Sequence, residues 1–133
     1  MNETTVQWID ELTFTAQTGS GHQIILDGGR EAGASPMEML LVGMAGCTAI
    51  DVVHILQRQR QPLTGLTVRV QGERAEDHPK VYTHISVEYV ARGALDAAKV
   101  QRAIELSEEK YCSASAMLGV VARIESRFRI EPD

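Results

Sequence analysis

Three short stretches rich in Thr, Val, Ile and aromatic residues open the chain: TTVQWI, LTFTA and QIILD. Their composition and the turn residues between them predict strands, the first two parted at Asp10-Glu11 as a pair or a bent hairpin, the third following the turn at GSGH. The Gly-rich DGGREAGAS that comes next reads as a loop. From Ser35 the period changes. Leu40, Leu41, Met44, Ala45, Thr48, Val52, Ile55 and Leu56 recur at helical spacing and predict a central helix over about residues 36–60. Its start carries a capping box, with Ser35 as the cap, Pro36 at the first helical position and Glu38 three residues after the cap, and Pro62 marks its end.

Beyond Pro62, LTVRVQGER and VYTHISVEYVA alternate apolar and polar residues and are joined by the polar AEDHPK, the pattern of an antiparallel pair with one buried face each. A second, amphipathic helix follows, capped by Asp96, with Ala97, Val100, Ile104, Ser107 and Tyr111 on one face, and it ends near Cys112. SASAMLGVVA predicts a further short helical segment and RIESRFRIE a last strand. The order β-β-β-α-β-β-α-α-β, without an internal repeat, indicates an α+β protein whose helices pack on an antiparallel sheet.

Composition narrows the picture. A chain of 133 residues, 44% hydrophobic and 23% charged, suits one globular domain spanning 1–133, and 5% aromatic content means a mostly aliphatic core. The net charge of −5 argues against a nucleic-acid surface, which would carry a basic face. The opening residues show neither the basic nor the apolar region of a secretory leader, so a cytoplasmic location is expected. The uncharged run from Met39 to Ile50 falls short of the ~20 residues that span a bilayer, so no transmembrane helix and no membrane partner are expected. The first half of the central helix is nonetheless apolar on most sides, which calls for wrapping by protein, from this chain or from a second copy.

Only Cys47 and Cys112 carry thiols, sixty-five positions apart, which excludes a CxxC pair and a zinc framework. Cys47 lies mid-helix in GMAGCTAID. A passive core cysteine and a nucleophile both fit that setting. Asp51 and His54 lie one and two turns further along the same stripe, but seven positions are ~10 Å along the axis, too far for a Cys-His nucleophile pair. No neighbouring ligand pair supports a metal either. Gly43 and Gly46 each cost roughly 0.8–1 kcal/mol in a helix interior, so close approach of a backbone or ligand beside Cys47 competes with plain helix packing as their reason. Cys112 lies between two helical patterns, with Ser113 placed to cap the second, where a helix N-terminus would favour its thiolate.

SPMEMLLVGMAGCTAIDV with its mid-helix cysteine, and AIELSEEKYCSASAML with the second, together resemble the OsmC/Ohr superfamily over nearly the whole chain, with SPMEM and KYCS similar to the small YhfA-type subgroup. The resemblance implies an OsmC-like fold: antiparallel sheets around a long central helix in an intertwined homodimer, with two sites at the subunit interface. It also implies thiol-dependent reduction of small organic hydroperoxides, with Cys47 attacking the peroxide, Cys112 resolving the sulfenic acid as a disulfide, a dithiol reductant resetting the pair, and no cofactor. Two positions depart from the family pattern. The residue after the helix-opening proline is Met37, with Glu38 one later, where the hydroperoxide-reducing members have their acidic residue. The early AQTGSGHQ lacks their arginine, leaving Arg30 as the one arginine before the helix. Glu38 and Arg30 are therefore the substitute candidates, against plain readings as a capping residue and an exposed loop arginine. A non-catalytic dimer binding a small apolar ligand, and a purely structural dimer, remain the alternatives.

Overall fold

The computed structural model describes residues 1–133, which divide into two compact units, residues 1–40 and 41–133, with the division inside the central helix. In the first unit, β1 (Thr4–Asp10), β2 (Thr13–Thr18) and β3 (Gln23–Asp27) form an antiparallel meander in the order β1-β2-β3. Trp8 stands opposite Phe14 and Phe14 opposite Leu26. The tight β1–β2 turn puts Glu11 at φ 44°. Every residue of β1 is exposed, and Val6, Trp8, Ile9, Leu12 and Ile25 present apolar surface to solvent. A three-stranded sheet in a 40-residue unit has little with which to cover both faces.

The central helix α1 is Pro36–Arg58. It stops two residues before the expected end because Arg60 enters the left-handed region at φ 56°, with the Gln61 N–H donating to the Leu56 carbonyl at 2.9 Å and the Arg60 N–H to the Gln57 carbonyl at 3.0 Å. That is a Schellman closure with arginine where glycine is usual.

In the second unit, β4 (Gly65–Arg74) pairs antiparallel with β5 (Tyr82–Arg92), and β6 (Arg123–Glu131) pairs with β5 in parallel. The expected wholly antiparallel arrangement thus holds for five strands and not for β6. The chain leaves β5, crosses by way of α2 (Ala97–Leu106) and α3 (Ser113–Leu118), and returns to the starting end of the sheet, and a helical crossover of that kind delivers a parallel strand. Gly93 makes the corner after β5 at φ 126°, where a Cβ would stand 2.3 Å from the Pro62 carbonyl oxygen.

Met44, Thr48, Val52 and Leu56, four residues apart, are the buried stripe of α1 and join Ile85, Val87, Tyr89, Val100 and Ala103 in the core. The wrapping that its sequence calls for is not supplied by this chain on every side: Val42, Gly43, Gly46 and Ile50 are exposed. α1 is also long and apolar enough, by length and composition, to cross a membrane. The expectation that no helix could do so counted one uncharged run and not the whole helix, and is corrected; the buried stripe makes α1 a helix of the second unit's core.

The second helix is interrupted. α2 ends at Leu106 and Ser107–Tyr111 forms a π turn, with the Cys112 N–H reaching back five residues to the Ser107 carbonyl at 2.6 Å. The wider turn shifts the helical phase, so Tyr111 is 51% exposed where an uninterrupted helix would have put it on the buried face. Asp96 caps α2 as expected, its carboxylate accepting from the Ala98 N–H at 2.9 Å.

Candidate functional site

Cys47 is half-buried on α1 and Cys112 is buried where the π turn meets α3, both as free thiols. Cys47 is near enough to Cys112 to act on its thiol. The cap of α3 is Cys112 itself and not Ser113: its Sγ accepts from the Ser115 N–H at 3.3 Å, because the π turn ends in extended backbone at Cys112. Burial pushes the Cys112 thiol up from its ordinary value; the Ser115 hydroxyl and N–H oppose that, and Cys47 adds to it. The helix end thus favours the Cys112 thiolate less than burial disfavours it.

Beside the thiols runs a line of hydroxyls that bridges α1, β5 and the π turn. Thr48 Oγ1 lies 2.9 Å from Tyr89 Oη and 2.7 Å from Ser107 Oγ. Ser107 donates to Asp51 Oδ2 at 2.9 Å, and Tyr89 donates to the Glu108 carboxylate. Ser126 on β6 donates to the other Glu108 oxygen at 3.0 Å. Burial, then the bonded Glu108 carboxylate, hold the Tyr89 phenol well above its ordinary value, and the charge that Cys112 can carry acts in the same direction. Asp51 faces a half-open groove of about 590 Å³ together with His54, Arg58 and Tyr111. His54 is exposed there, in keeping with its exclusion from a triad.

Sequence reasoning had placed Thr48 and Ser107 on apolar faces and Asp51 on the Cys47 stripe without joining them. A hydroxyl on each of two apolar faces was the available signal, since a buried hydroxyl needs a partner. Tyr89 and Glu108 carried no such signal, because an alternating strand and a charged helix accept both without comment.

The other two candidates belong to the first unit. Asp27 is buried at the end of β3 and accepts from the backbone N–H groups of Gly29, Glu31 and Ala32, at 2.8, 3.2 and 2.9 Å. The hydrogen bonds from Ala32 and Gly29 hold its carboxyl below the ordinary carboxylate range. The loop so closed carries Arg30 in the left-handed region at φ 60°. Glu38 completes the expected capping box: the Ser35 N–H donates to Glu38 Oε1 at 2.9 Å and the Glu38 N–H to Ser35 Oγ at 3.2 Å. The Ser35 N–H lowers the Glu38 carboxyl first, and the Arg30 charge contributes. The structure therefore brings together Cys47 with Cys112 in one unit and Arg30 with Glu38 in the other. Cβ atoms added at Gly43 or Gly46 would meet nothing within 4 Å, so no part of this chain needs those glycines for close approach. No group of three or more metal-ligating side chains is present.

Residues 28–126 match a family model described as OsmC-like protein. Protein YhfA of Escherichia coli K12 is 42% identical over 127 residues, which cover 94% of this chain and 95% of that protein. Among solved structures, a hypothetical protein from Aquifex aeolicus VF5 is 34% identical, with a TM-score of 0.92 over 100% of this chain and 98% of that one. An organic hydroperoxide resistance protein OsmC from Legionella pneumophila shares the fold at 15% identity, with a TM-score of 0.69 over 96% of each chain.

Proposed function

Since the chain belongs to the family of OsmC-like proteins, we propose that it acts in peroxide-related stress as a thiol-dependent peroxidase for small organic hydroperoxides. The observation that carries this reading is that its only two thiols are near enough for Cys47 to act on the Cys112 thiol. The name of the Legionella structure, which refers to organic hydroperoxide resistance, supports the substrate class.

Exposure supports a division of roles. Cys47, half-buried, is the thiol a substrate can reach; Cys112, 2% exposed and pushed up by burial, is suited to wait as the resolving thiol. Attack of the Cys47 thiolate on the terminal peroxide oxygen breaks the O–O bond, leaving a sulfenic acid on Cys47 and an alkoxide that takes a proton and departs as the alcohol. The Cys112 thiolate then displaces the sulfenic oxygen as water and the disulfide forms. A dithiol reductant restores both thiols by exchange. Arg30 and Glu38 are the cation and carboxylate proposed for the reaction, and the Arg30 charge contributes to the lowering of the Glu38 carboxyl. A homodimer accompanies this reading, supported by the exposed apolar residues of β1 and by the outward stripe Val42, Gly43, Gly46 and Ile50 of α1.

Purified reduced protein given a slight excess of cumene hydroperoxide should lose two thiols per chain and gain an intramolecular disulfide, while Cys47→Ser should keep its remaining thiol. Cys112→Ser should accumulate a sulfenic acid that dimedone traps. Unchanged thiols in the wild type under a large excess of hydroperoxide would sink the proposal.

A further inference from the structure

Every polar group of Ser107 is engaged, and the engagements join the two cysteine segments. Its backbone N–H turns to the Ala103 and Ile104 carbonyls of α2, and its own carbonyl takes the Cys112 N–H at 2.6 Å. A serine inside a helix commonly folds its hydroxyl back onto a carbonyl one turn earlier. Here the hydroxyl crosses instead to α1, donating to Asp51 Oδ2 at 2.9 Å and lying 2.7 Å from Thr48 Oγ1. Thr48 directly follows Cys47 in the chain and is the one hydroxyl in a stripe otherwise made of Met44, Val52 and Leu56, all fully buried. Valine would fill nearly the same space at 48, so the hydroxyl is explained by what it touches.

We infer that Ser107 is a positioning residue for the thiol pair: its hydroxyl fastens the π turn to the helix of Cys47, its carbonyl places Cys112, and the two together set how readily the thiols join as a disulfide. The turn needs such a fastening. A five-residue helical hydrogen bond is rarer than the four-residue one, and an ordinary helix would pass the Cys112 N–H from the Ser107 carbonyl to that of Glu108. Ser107 is the first residue of the turn, so its hold on α1 fixes the point from which the five residues to Cys112 are measured.

Alanine at 107 removes the hydroxyl alone and keeps the backbone N–H and carbonyl. Thr48 then still meets Tyr89, and Asp51 faces the open groove, so neither former partner is sealed away from a replacement. What is lost is the fixed relation of Cys112 to α1. A disulfide must then remove freedom that the folded wild type has already given up, and it forms less favourably. The inference rests on the proposed function only in that both need Cys47 and Cys112 to join; no hydroperoxide enters its test.

The test is the equilibrium of the protein with reduced and oxidised dithiothreitol, each protein disulfide formed turning one oxidised dithiothreitol into its dithiol. The disulfide fraction is read by thiol alkylation and mass spectrometry, and folding by circular dichroism. Ser107→Ala should disfavour the disulfide by about tenfold, the size of one net hydrogen bond, which is ~30 mV for a two-electron couple. Thr48→Val should shift it less in the same direction, and Thr48→Ser, which keeps the hydroxyl, should restore the wild-type value. Val52→Ala, on the same stripe but without a hydroxyl, should lower the melting temperature and leave the equilibrium unmoved. An equilibrium unchanged in folded Ser107→Ala, or shifted as far by Val52→Ala, overturns the inference, and Thr48→Val with its serine rescue keeps the test decisive if Ser107→Ala fails to fold. A wild type that forms no intramolecular disulfide in any of these buffers overturns it together with the resolving role of Cys112. Thiols that join with the graded shift yet resist hydroperoxide would overturn the peroxidase and uphold the positioning.

Discussion

Asp27 and Glu38 anchor the loop that carries Arg30, and both do so as carboxylates accepting backbone N–H groups. Each is held below its ordinary range in the folded chain, so each binds a proton less readily folded than unfolded. Their stabilisation is therefore complete above the unfolded carboxylate range and is lost as pH falls through the lowered folded values. Amide exchange at Gly29, Ala32 and Ser35 should accelerate over that acid window in the wild type; equal protection across it would show that the carboxylates do not hold the loop. Ser35→Ala should cost about 1 kcal/mol near neutral pH, as the loss of a helix cap does. Glu38 was legible in the sequence as a capping residue because the motif is local. The hydroxyl chain was not, because Thr48, Tyr89 and Ser107 are 41 and 59 positions apart in their pairings and each alone is an unremarkable residue of its element.

Local pattern specified the elements well where the backbone was regular. QIILD and RIESRFRIE fall on β3 and β6 residue for residue. The direction of β6 could not be read, since alternation looks the same in parallel and antiparallel strands; the intervening helices were the better clue. The end of α1 and the face of Tyr111 went astray for one shared reason. A left-handed residue without glycine and a five-residue hydrogen bond both break helical phase without any marker in composition. Arg60 holds its φ of 56° at a cost that glycine would avoid. Arg60→Gly should accordingly stabilise the protein by about 0.5–1 kcal/mol in denaturant melts, the glycine's greater unfolded freedom offsetting part of the gain. A destabilised variant would mean that the Arg60 side chain is needed for contacts of its own.

At the scale of the molecule, β1 and the outer face of α1 leave apolar surface open, on which the proposed dimer would form. Gly43 and Gly46 leave room that this chain does not fill. If a second copy fills it, Gly46→Leu should convert a dimer to a monomer in light-scattering chromatography while each chain stays folded, since a larger side chain meets nothing within its own subunit. A dimer that persists, with a helix stabilised by up to about 1 kcal/mol from the loss of glycine, would place the interface elsewhere. The fold class was readable because period and order were readable. The covering of α1 was only half so: the apolar first half of α1 announced buried surface, and the structure shows that one chain buries a single stripe of it.

The π turn before Cys112 has a consequence for how the thiol pair is encoded. An α-helix advances ~100° per residue, so closing the same five positions as ordinary helix would carry the Cys112 sulfur round the axis. The place of the Cys112 thiol is therefore written in the spacing of the chain as well as in its letters. Between Ser107 and Cys112, losing or gaining a single residue would be a graver lesion than exchanging most of those present.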